Sequence, residues 1–197
     1  MTGPLRVAAV VGTTRSPSKT KALVELILQT LASRTPIEAQ VIEIHTLGPG
    51  LTGALEREQL DDGAEAAVRA VETADLVIAA TPVFRGSYPG MFKHFVDFID
   101  QYALAAKPVM LAATGGSERH ALVIEHALRP LFAFFQAWTA PAGIYLSAAD
   151  FDGTVILNPE VYERIEMAVD DVVPVAKALA AARSAPAPSA PAPSAVA

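Results

Sequence analysis

The stretch LRVAAVVGTTRSPSKT (residues 5–20) joins an apolar, β-branched run to a polar loop. The run at 5–11 is continuous rather than alternating, which is typical of a parallel strand buried on both faces. It stops at Gly12, and five hydroxyl residues with Arg15 and Lys19 follow. A helical pattern begins directly afterwards. The stretch therefore predicts a first strand that delivers a polar loop to the start of a helix.

The same alternation of strand and helix recurs along the chain and predicts an α/β fold. Strands are predicted at 5–11, 39–44, 75–81, 108–114 and 142–147, and helices at 21–33, 64–74, 90–102, 118–135 and 159–182. We expect the last helix to be kinked or broken near Pro174. We predict one flavodoxin-like domain at 1–183, a three-layer sandwich with a five-stranded parallel sheet of order 2-1-3-4-5. Residues 184–197 are rich in Pro, Ala and Ser and are expected to form a disordered tail.

Composition excludes several classes of function. The 197 residues are 52% hydrophobic, carry a net charge of −6 and include no cysteine, which excludes thiolate chemistry and disfavours nucleic acid as a partner. No run reaches the roughly 18 apolar residues of a membrane span, and the N-terminus lacks a cleavage site, so we expect a cytoplasmic protein without a membrane partner. The histidines lack metal-site spacing, and no metal is assigned. The apolar excess favours a homo-oligomer, a dimer or a tetramer.

The predicted strand order brings three loops, at 12–20, 81–90 and 114–118, to one sheet edge, at the position where such folds bind ligands. The first loop lacks the P-loop and dinucleotide glycine patterns, yet hydroxyls with Arg15 at a helix start suit one phosphate. Alternatively, Ser18 or Thr20 only caps the helix. Aromatic residues in the second loop suit a flat ring, or they pack on the next helix. Two glycines in the third permit close backbone approach, or make a plain turn.

Three motifs carry a family resemblance. GTTRSPSKT (12–20), TPVFRGSYPGMFKHFVD (81–97) and ATGGS (113–117) together resemble the NADPH-dependent FMN reductase family. The similarity covers about residues 5–147 and is greatest to the flavin reductases of alkanesulfonate and methanesulfonate monooxygenase systems. Two positions depart from the family pattern, because Thr13 replaces a usual Ser and Phe84 stands where Tyr is frequent.

The resemblance implies FMN, with NADPH or NADH, as cofactors. It assigns the FMN phosphate to the first loop, the isoalloxazine and ribityl groups to the second, and the pyrimidine edge to the third. The implied residues are Thr13, Arg15, Ser16, Ser18 and Thr20, then Pro82, Val83, Phe84 and Arg85, then Thr114, Gly115 and Gly116. No catalytic side chain is implied, because the hydride passes between the cofactors. The N–H groups of Gly115 and Gly116 are candidate donors to the flavin edge.

A further position concerns assembly. In the sulfonate-linked reductases that this chain resembles, an inserted residue bulges the fourth helix at a tetramer interface, and His126 occupies that position here. A histidine on an ordinary helix is the alternative. We also expect oligomer contacts from residues 130–138 together with Met91, Phe92 and Phe95.

The resemblance thus predicts an NAD(P)H-dependent FMN reductase that supplies reduced FMN to a two-component flavin monooxygenase in sulfonate sulfur assimilation. Three alternatives stay open from the sequence. The first is a quinone, azo or chromate reductase that holds FMN tightly. The others are a flavodoxin-type electron carrier without enzymatic activity and an anion-binding regulatory domain without flavin.

Overall fold

A parallel sheet forms the centre of the computed structural model, which describes residues 3–184. Its strands are β1 (Leu5–Val11), β2 (Ile37–Glu43), β3 (Leu76–Pro82), β4 (Pro108–Thr114), β5 (Trp138–Thr139) and β6 (Ile144–Leu146). The order is β2-β1-β3-β4-β5, with β6 also paired to β4, and every pair is parallel. The predicted fold class and strand order are therefore confirmed.

Helices cover both faces of the sheet. They are α1 (Lys19–Arg34), α2 (Gly48–Thr52), α3 (Asp62–Thr73), α4 (Gly90–Asp97), α5 (Arg129–Phe134) and α6 (Pro159–Ser184). Along β1, Val7 and Ala9 pack with residues of α1 and α6, whereas Ala8 and Val10 pack with α3 and α4. Both faces of β1 are thus buried, which explains why its sequence is a continuous apolar run rather than an alternating one.

Two predicted helices are shorter or less regular than expected. The helix predicted at 90–102 ends at Asp97. The helix predicted at 118–135 is divided into a 3₁₀ turn at Glu118–His120, a π-helical turn at Ile124–Leu128 and α5. The apolar periodicity located the segment but carried no information about its hydrogen-bond register, so the single long helix predicted from it is wrong. The bulge at His126 that the family resemblance implies is confirmed by the π-helical turn.

The fifth strand and the last helix also differ from prediction. The strand expected at 142–147 is observed as the shorter β6, and a further strand that was not predicted, β5, pairs with β4 before Pro141, which has no N–H to donate to a sheet. The last helix is not broken at Pro174, because α6 extends without interruption to Ser184. Val172, Val173 and Ala176 are buried against the sheet on both sides of the proline and stabilise the helix there.

Two further elements were not predicted at all: α2, and an antiparallel hairpin formed by β7 (Phe151–Asp152) and β8 (Val155–Ile156). Except for Ser184, the predicted tail at 184–197 lies outside the described residues. Within 3–184, no helix combines the length and the apolarity needed to cross a bilayer.

Candidate functional site

A cleft of about 600 Å³ opens where β1, β3 and β4 end. All three predicted loops contribute to it, as expected for the carboxyl edge of a parallel sheet. Its lining residues are Thr13, Thr14, Arg15, Pro17, Ser18, Lys19, Thr20, Pro82, Val83, Phe84, Thr114, Gly115, Gly116, Ala148, Gly153 and Thr154. Of the twelve predicted cofactor-binding residues, only Ser16 and Arg85 are outside this lining.

The first loop ends at the N-terminus of α1. Ser18 is the N-cap, and its hydroxyl oxygen accepts a hydrogen bond from the Lys21 N–H at 3.2 Å. The capping alternative is therefore correct for Ser18, although its hydroxyl proton stays available to a ligand. Within the described chain, the N–H groups of Lys19 and Thr20 have no protein acceptor. These groups and the helix dipole favour an anion at this position.

Thr13 and Thr20 organise the cleft as well as line it. The Thr13 hydroxyl donates to the Arg15 carbonyl at 2.9 Å, which folds the loop back on itself. The buried hydroxyls of Thr20 and Thr114 lie 2.7 Å apart, and this bond ties the start of α1 to the end of β4. Because only one of that pair donates to the other, one hydroxyl proton is left for a ligand.

The second loop turns sharply beyond Val83. Phe84 and Ser87 exchange backbone hydrogen bonds, and the two residues between them, Arg85 and Gly86, have φ values of 52° and 83°. This geometry directs Arg85 away from the cleft lining, whereas the Phe84 ring stays 45% exposed at its rim. Tyr88 instead packs on Phe92, with ring centroids 5.6 Å apart, so the packing alternative is correct for Tyr88.

Strand β6 fixes the third loop through two hydrogen bonds. The Gly115 N–H donates to the Leu146 carbonyl at 2.9 Å, and the Tyr145 hydroxyl donates to the Ser117 carbonyl at 2.5 Å. Burial raises the pKa of Tyr145, as do the carboxylates of Glu118 and Asp150, which keeps this phenol protonated as a donor. Because the Gly115 N–H already has an acceptor, the prediction that it donates to a ligand is wrong.

Gly116 is the remaining candidate donor of that pair. It is exposed, and a Cβ added there would meet nothing within 4 Å. By contrast, a Cβ on Gly115 would lie 2.1 Å from the Tyr145 hydroxyl. Gly115 therefore permits close packing against β6, and Gly116 leaves open space for a ligand beside its backbone.

A fourth wall of the cleft was missed from the sequence. Ala148, Gly153 and Thr154 follow β6 and line the same cleft as the first loop. Their signal was a glycine between short apolar segments, which favours a two-residue hairpin turn, and Gly153 has a φ of 60°. Lys19 was missed because it does not fit a P-loop, yet it lines the cleft.

His126 lies within the π-helical turn Ile124–Leu128, where the Arg129 N–H donates to the carbonyl of Ile124. The side chain of His126 is exposed, and so are Leu122 at 61% and Phe134 at 66%. Phe92 and Phe95, expected at oligomer contacts, are fully buried in this subunit and cannot make them. The role of His126 at an interface stays a prediction.

The charge of the lining fits a flavin mononucleotide. Arg15 and Lys19 are its only ionisable side chains in the described part of the chain, and both are cations near the α1 N-terminus. Pro82, Val83 and Phe84 give the other end an apolar surface. A phosphate at the first end and a flat ring at the second match this division.

Other candidate sites are weaker. A groove of about 660 Å³ between Trp138 and α6 is larger, but its lining is mostly apolar and includes no charged group. Within residues 3–184, no three His, Asp or Glu side chains are placed to share a metal ion. The cleft at the sheet edge is therefore the site where chemistry is expected.

Comparison with known proteins agrees with this geometry. The model of the NADPH-dependent FMN reductase family matches residues 5–161. The chain is 48% identical to the NADH-dependent FMN reductase SfnF of Pseudomonas fluorescens and 46% identical to an FMN reductase (NADPH) of Pseudomonas aeruginosa, covering 89% of this chain and 94% of each relative. The apo structure of the NADH:FMN oxidoreductase EMOB superposes with a TM-score of 0.76 at 28% identity, covering 88% of this chain and 89% of that one.

Proposed function

This chain belongs to the NADPH-dependent FMN reductase family, and we propose that it reduces FMN with NADH or NADPH and releases the reduced flavin to a separate monooxygenase. The division of the cleft into a cationic end and an apolar end is the observation that carries the proposal. We place the reaction in the cytoplasm, where nicotinamide nucleotides are available, and we propose sulfonate sulfur assimilation as its context.

The described residues have distinct tasks in this reaction. Bound FMN supplies the chemistry, because its ring accepts a hydride from the nicotinamide. Arg15, with the free N–H groups at the start of α1, would hold the phosphate. Phe84 and the third loop would hold the ring, and the Gly116 N–H would donate a hydrogen bond to its polar edge. No acid–base side chain is needed for this step, so positioning is the main contribution of the protein.

The open rim of the cleft supports release of the flavin. Phe84 and Gly116 are both exposed, so the ring end is accessible to solvent and to a nicotinamide nucleotide. A prosthetic flavin in a quinone reductase or an electron carrier is the alternative to a released one. We favour release because the curated relatives reported above are FMN reductases by name.

We also propose a homo-oligomer, with a tetramer as the form implied by the resemblance. Leu122 and Phe134 expose apolar side chains close to the π-helical turn of His126. Large apolar side chains exposed to solvent are the kind of surface that a subunit contact can bury.

One experiment separates these alternatives. Purified protein is mixed with NADH or NADPH, with and without FMN, and oxidation is followed at the nicotinamide absorbance band. We expect FMN-dependent oxidation, and after anaerobic turnover we expect the reduced flavin in the filtrate of a rapid ultrafiltration. Oxidation that requires a quinone, with flavin retained on the protein, would favour the quinone reductase. No oxidation under any condition would favour the electron carrier or the regulatory domain.

A further inference from the structure

The groove of about 660 Å³ between Trp138 and α6 lies at the opposite end of the sheet from the flavin cleft. Trp138 pairs with Pro108, the first residue of β4, so the groove opens at the amino edge of the sheet. Among the described residues that line it, none is charged. The proposed reaction, at the carboxyl edge, makes no use of this groove.

Helix α6 contributes an apolar stripe to the groove. The members of the stripe are neighbours on one face of the helix: Pro174, Val175, Ala178 and Leu179. Pro174 and Ala178 are exposed. The stripe is distinct from the residues of α6 that pack on the sheet, such as Val172 and Ala176. Helix α6 therefore carries a second apolar surface in addition to the one that is buried in the core.

The other side of the groove is held in place and carries polar groups. Ala106 and Gln136 have φ values of 55° and 56°, and the Ala106 N–H donates to the Gln136 carbonyl at 2.9 Å, which fixes these two turns to each other. The Trp138 indole N–H and the Gln136 side-chain amide have no hydrogen-bond partner in the described part of the chain. The groove thus combines an aromatic ring and an apolar stripe with two donors that can bind carbonyl groups.

This combination is typical of sites that bind polyproline II segments, in which every backbone carbonyl is free. The chain has such a segment of its own. Residues 185–197, outside the described part, read APAPSAPAPSAVA, with two copies of APAPS and no charged side chain. Each proline fixes its φ near the polyproline II value. A composition that cannot form a core of its own can still bind to a surface that is already formed.

The segment starts within reach of the groove. Helix α6 ends at Ser184, and the hydrogen bond from Arg183 to Asp75 at 2.7 Å fixes this end of the helix. The apolar stripe lies about 8–15 Å back from the helix end, at about 1.5 Å per residue. Residues 185–197 in polyproline II conformation would span about 40 Å, which is enough to turn back and cover the stripe. Attachment to the same chain raises the effective concentration of the segment to the order of 1 mM.

We propose that residues 185–197 fold back onto their own subunit and bind in the groove between Trp138 and α6 in polyproline II conformation. The prolines would pack on the Trp138 ring and on the apolar stripe, and the carbonyls would accept hydrogen bonds from Trp138 and Gln136. A second copy of the chain fits less well, because a stable subunit contact takes about 20–30 residues on each side and this lining is small. The proposal is independent of the function proposed for the cleft.

Fluorescence of the full-length protein tests the proposal, because Trp138 is the only tryptophan of the chain. Acrylamide quenching is compared between wild type and a variant in which four prolines are replaced by glycine: Pro186, Pro188, Pro191 and Pro193. We expect the variant to be quenched about 2-fold more strongly and to emit at longer wavelength, because glycine raises the conformational entropy that binding must overcome. The variant Ser189→Ala/Ser194→Ala keeps the prolines and should match wild type.

A substitution in the groove tests the same contact from the other side. Ala178→Glu places a carboxylate among the apolar lining, and a proline-specific endopeptidase should then cleave the segment roughly 5- to 10-fold faster, because cleavage follows the population of the unbound segment. Ala181→Glu is the matched control, since Ala181 is exposed on the same helix but lies outside the lining. Circular dichroism shows whether each variant is folded. The fluorescence test does not depend on Ala178→Glu, because its substitutions lie beyond α6.

Three results would overturn the proposal. Unchanged quenching in the four-proline variant would show that the segment does not cover Trp138. Equal cleavage rates in wild type and folded Ala178→Glu would show that the groove does not hold the segment. Protection of wild type that disappears on about a hundredfold dilution would show that the segment of another copy occupies the groove. None of these measurements contains flavin, so the proposed function is tested separately.

Discussion

At the residue scale, Gly115 shows how one position can be essential for packing without contacting a ligand through its N–H. Its N–H bonds to Leu146, and the space where a side chain would lie is filled by the Tyr145 hydroxyl. The sequence motif correctly placed Gly115 and Gly116 beside the cleft. It could not separate their roles, because both are the same residue and the difference comes from β6, about thirty residues later in the chain.

Gly115→Ala is therefore expected to destabilise the protein by about 1–3 kcal/mol, as overpacking of a well-packed site usually does. Gly116→Ala should change the free energy of unfolding by less than about 0.5 kcal/mol, since its Cβ would meet nothing within 4 Å. Urea denaturation of the two variants measures both values.

The double variant Gly115→Ala/Tyr145→Phe tests the cause. The Tyr145 hydroxyl is the atom nearest to the added Cβ, so its removal should recover part of the lost stability. If the double variant loses more free energy of unfolding than the two single variants lose together, the steric explanation is wrong.

At the scale of elements, hydrophobic periodicity predicted the regular strands and helices but not the irregular elements. Strand β4 matches its predicted bounds, because a fully buried strand has a clear apolar pattern. The bulge at His126 was indicated by the family resemblance and not by periodicity. The two-residue strand β5 is too short to leave a periodic trace. The hairpin at 151–156 is too short for periodicity, and its only signal is a glycine.

The end of α6 is attached to the sheet by one buried carboxylate. Asp75, just before β3, accepts hydrogen bonds from Arg183 at 2.7 Å and from the Arg6 backbone at 2.9 Å. Burial alone would raise the pKa of Asp75, but the hydrogen bonds from Arg6 and Arg183 outweigh it and hold this pKa at about 2. The carboxylate side chain is only 10% exposed.

Because the pKa of Asp75 is lowered in the folded protein, the free energy of unfolding depends on pH. The contribution of Asp75 is fully present above its unfolded-state pKa, near 3.8, and is lost as pH falls through about 2. Asp75 contributes about 2 kcal/mol to the free energy of unfolding in this way. Asp75→Asn should lower the free energy of unfolding at pH 6 and remove this part of the decline between pH 4 and 2, measured by urea denaturation at several pH values.

Asp170→Asn serves as the control. Asp170 is on the same helix and pairs with Arg34, but its side chain is 58% exposed. Its effect should be below about 1 kcal/mol, as for other surface pairs. An acid decline in Asp75→Asn as steep as that of wild type would contradict this assignment.

At the scale of the whole molecule, the topology explains why three separate motifs form one site. Parallel strands in the order β2-β1-β3-β4-β5 bring the ends of β1, β3 and β4 together. The sequence predicted this meeting point because each strand was followed by a polar or glycine-rich loop. It did not predict that Ser16 and Arg85 lie outside the lining, since side-chain direction within a loop is determined by local turns.

The central claim, that this cleft binds FMN by its phosphate for reduction, is tested most directly by the rate of NADH oxidation as a function of FMN concentration. We expect saturation in wild-type protein, and in Arg15→Ala a KM for FMN raised about 5- to 10-fold with a nearly unchanged kcat, as loss of uniform binding produces. Ser16→Ala, outside the lining, should match wild type. A rate independent of FMN, or an unchanged KM in Arg15→Ala, would contradict the account.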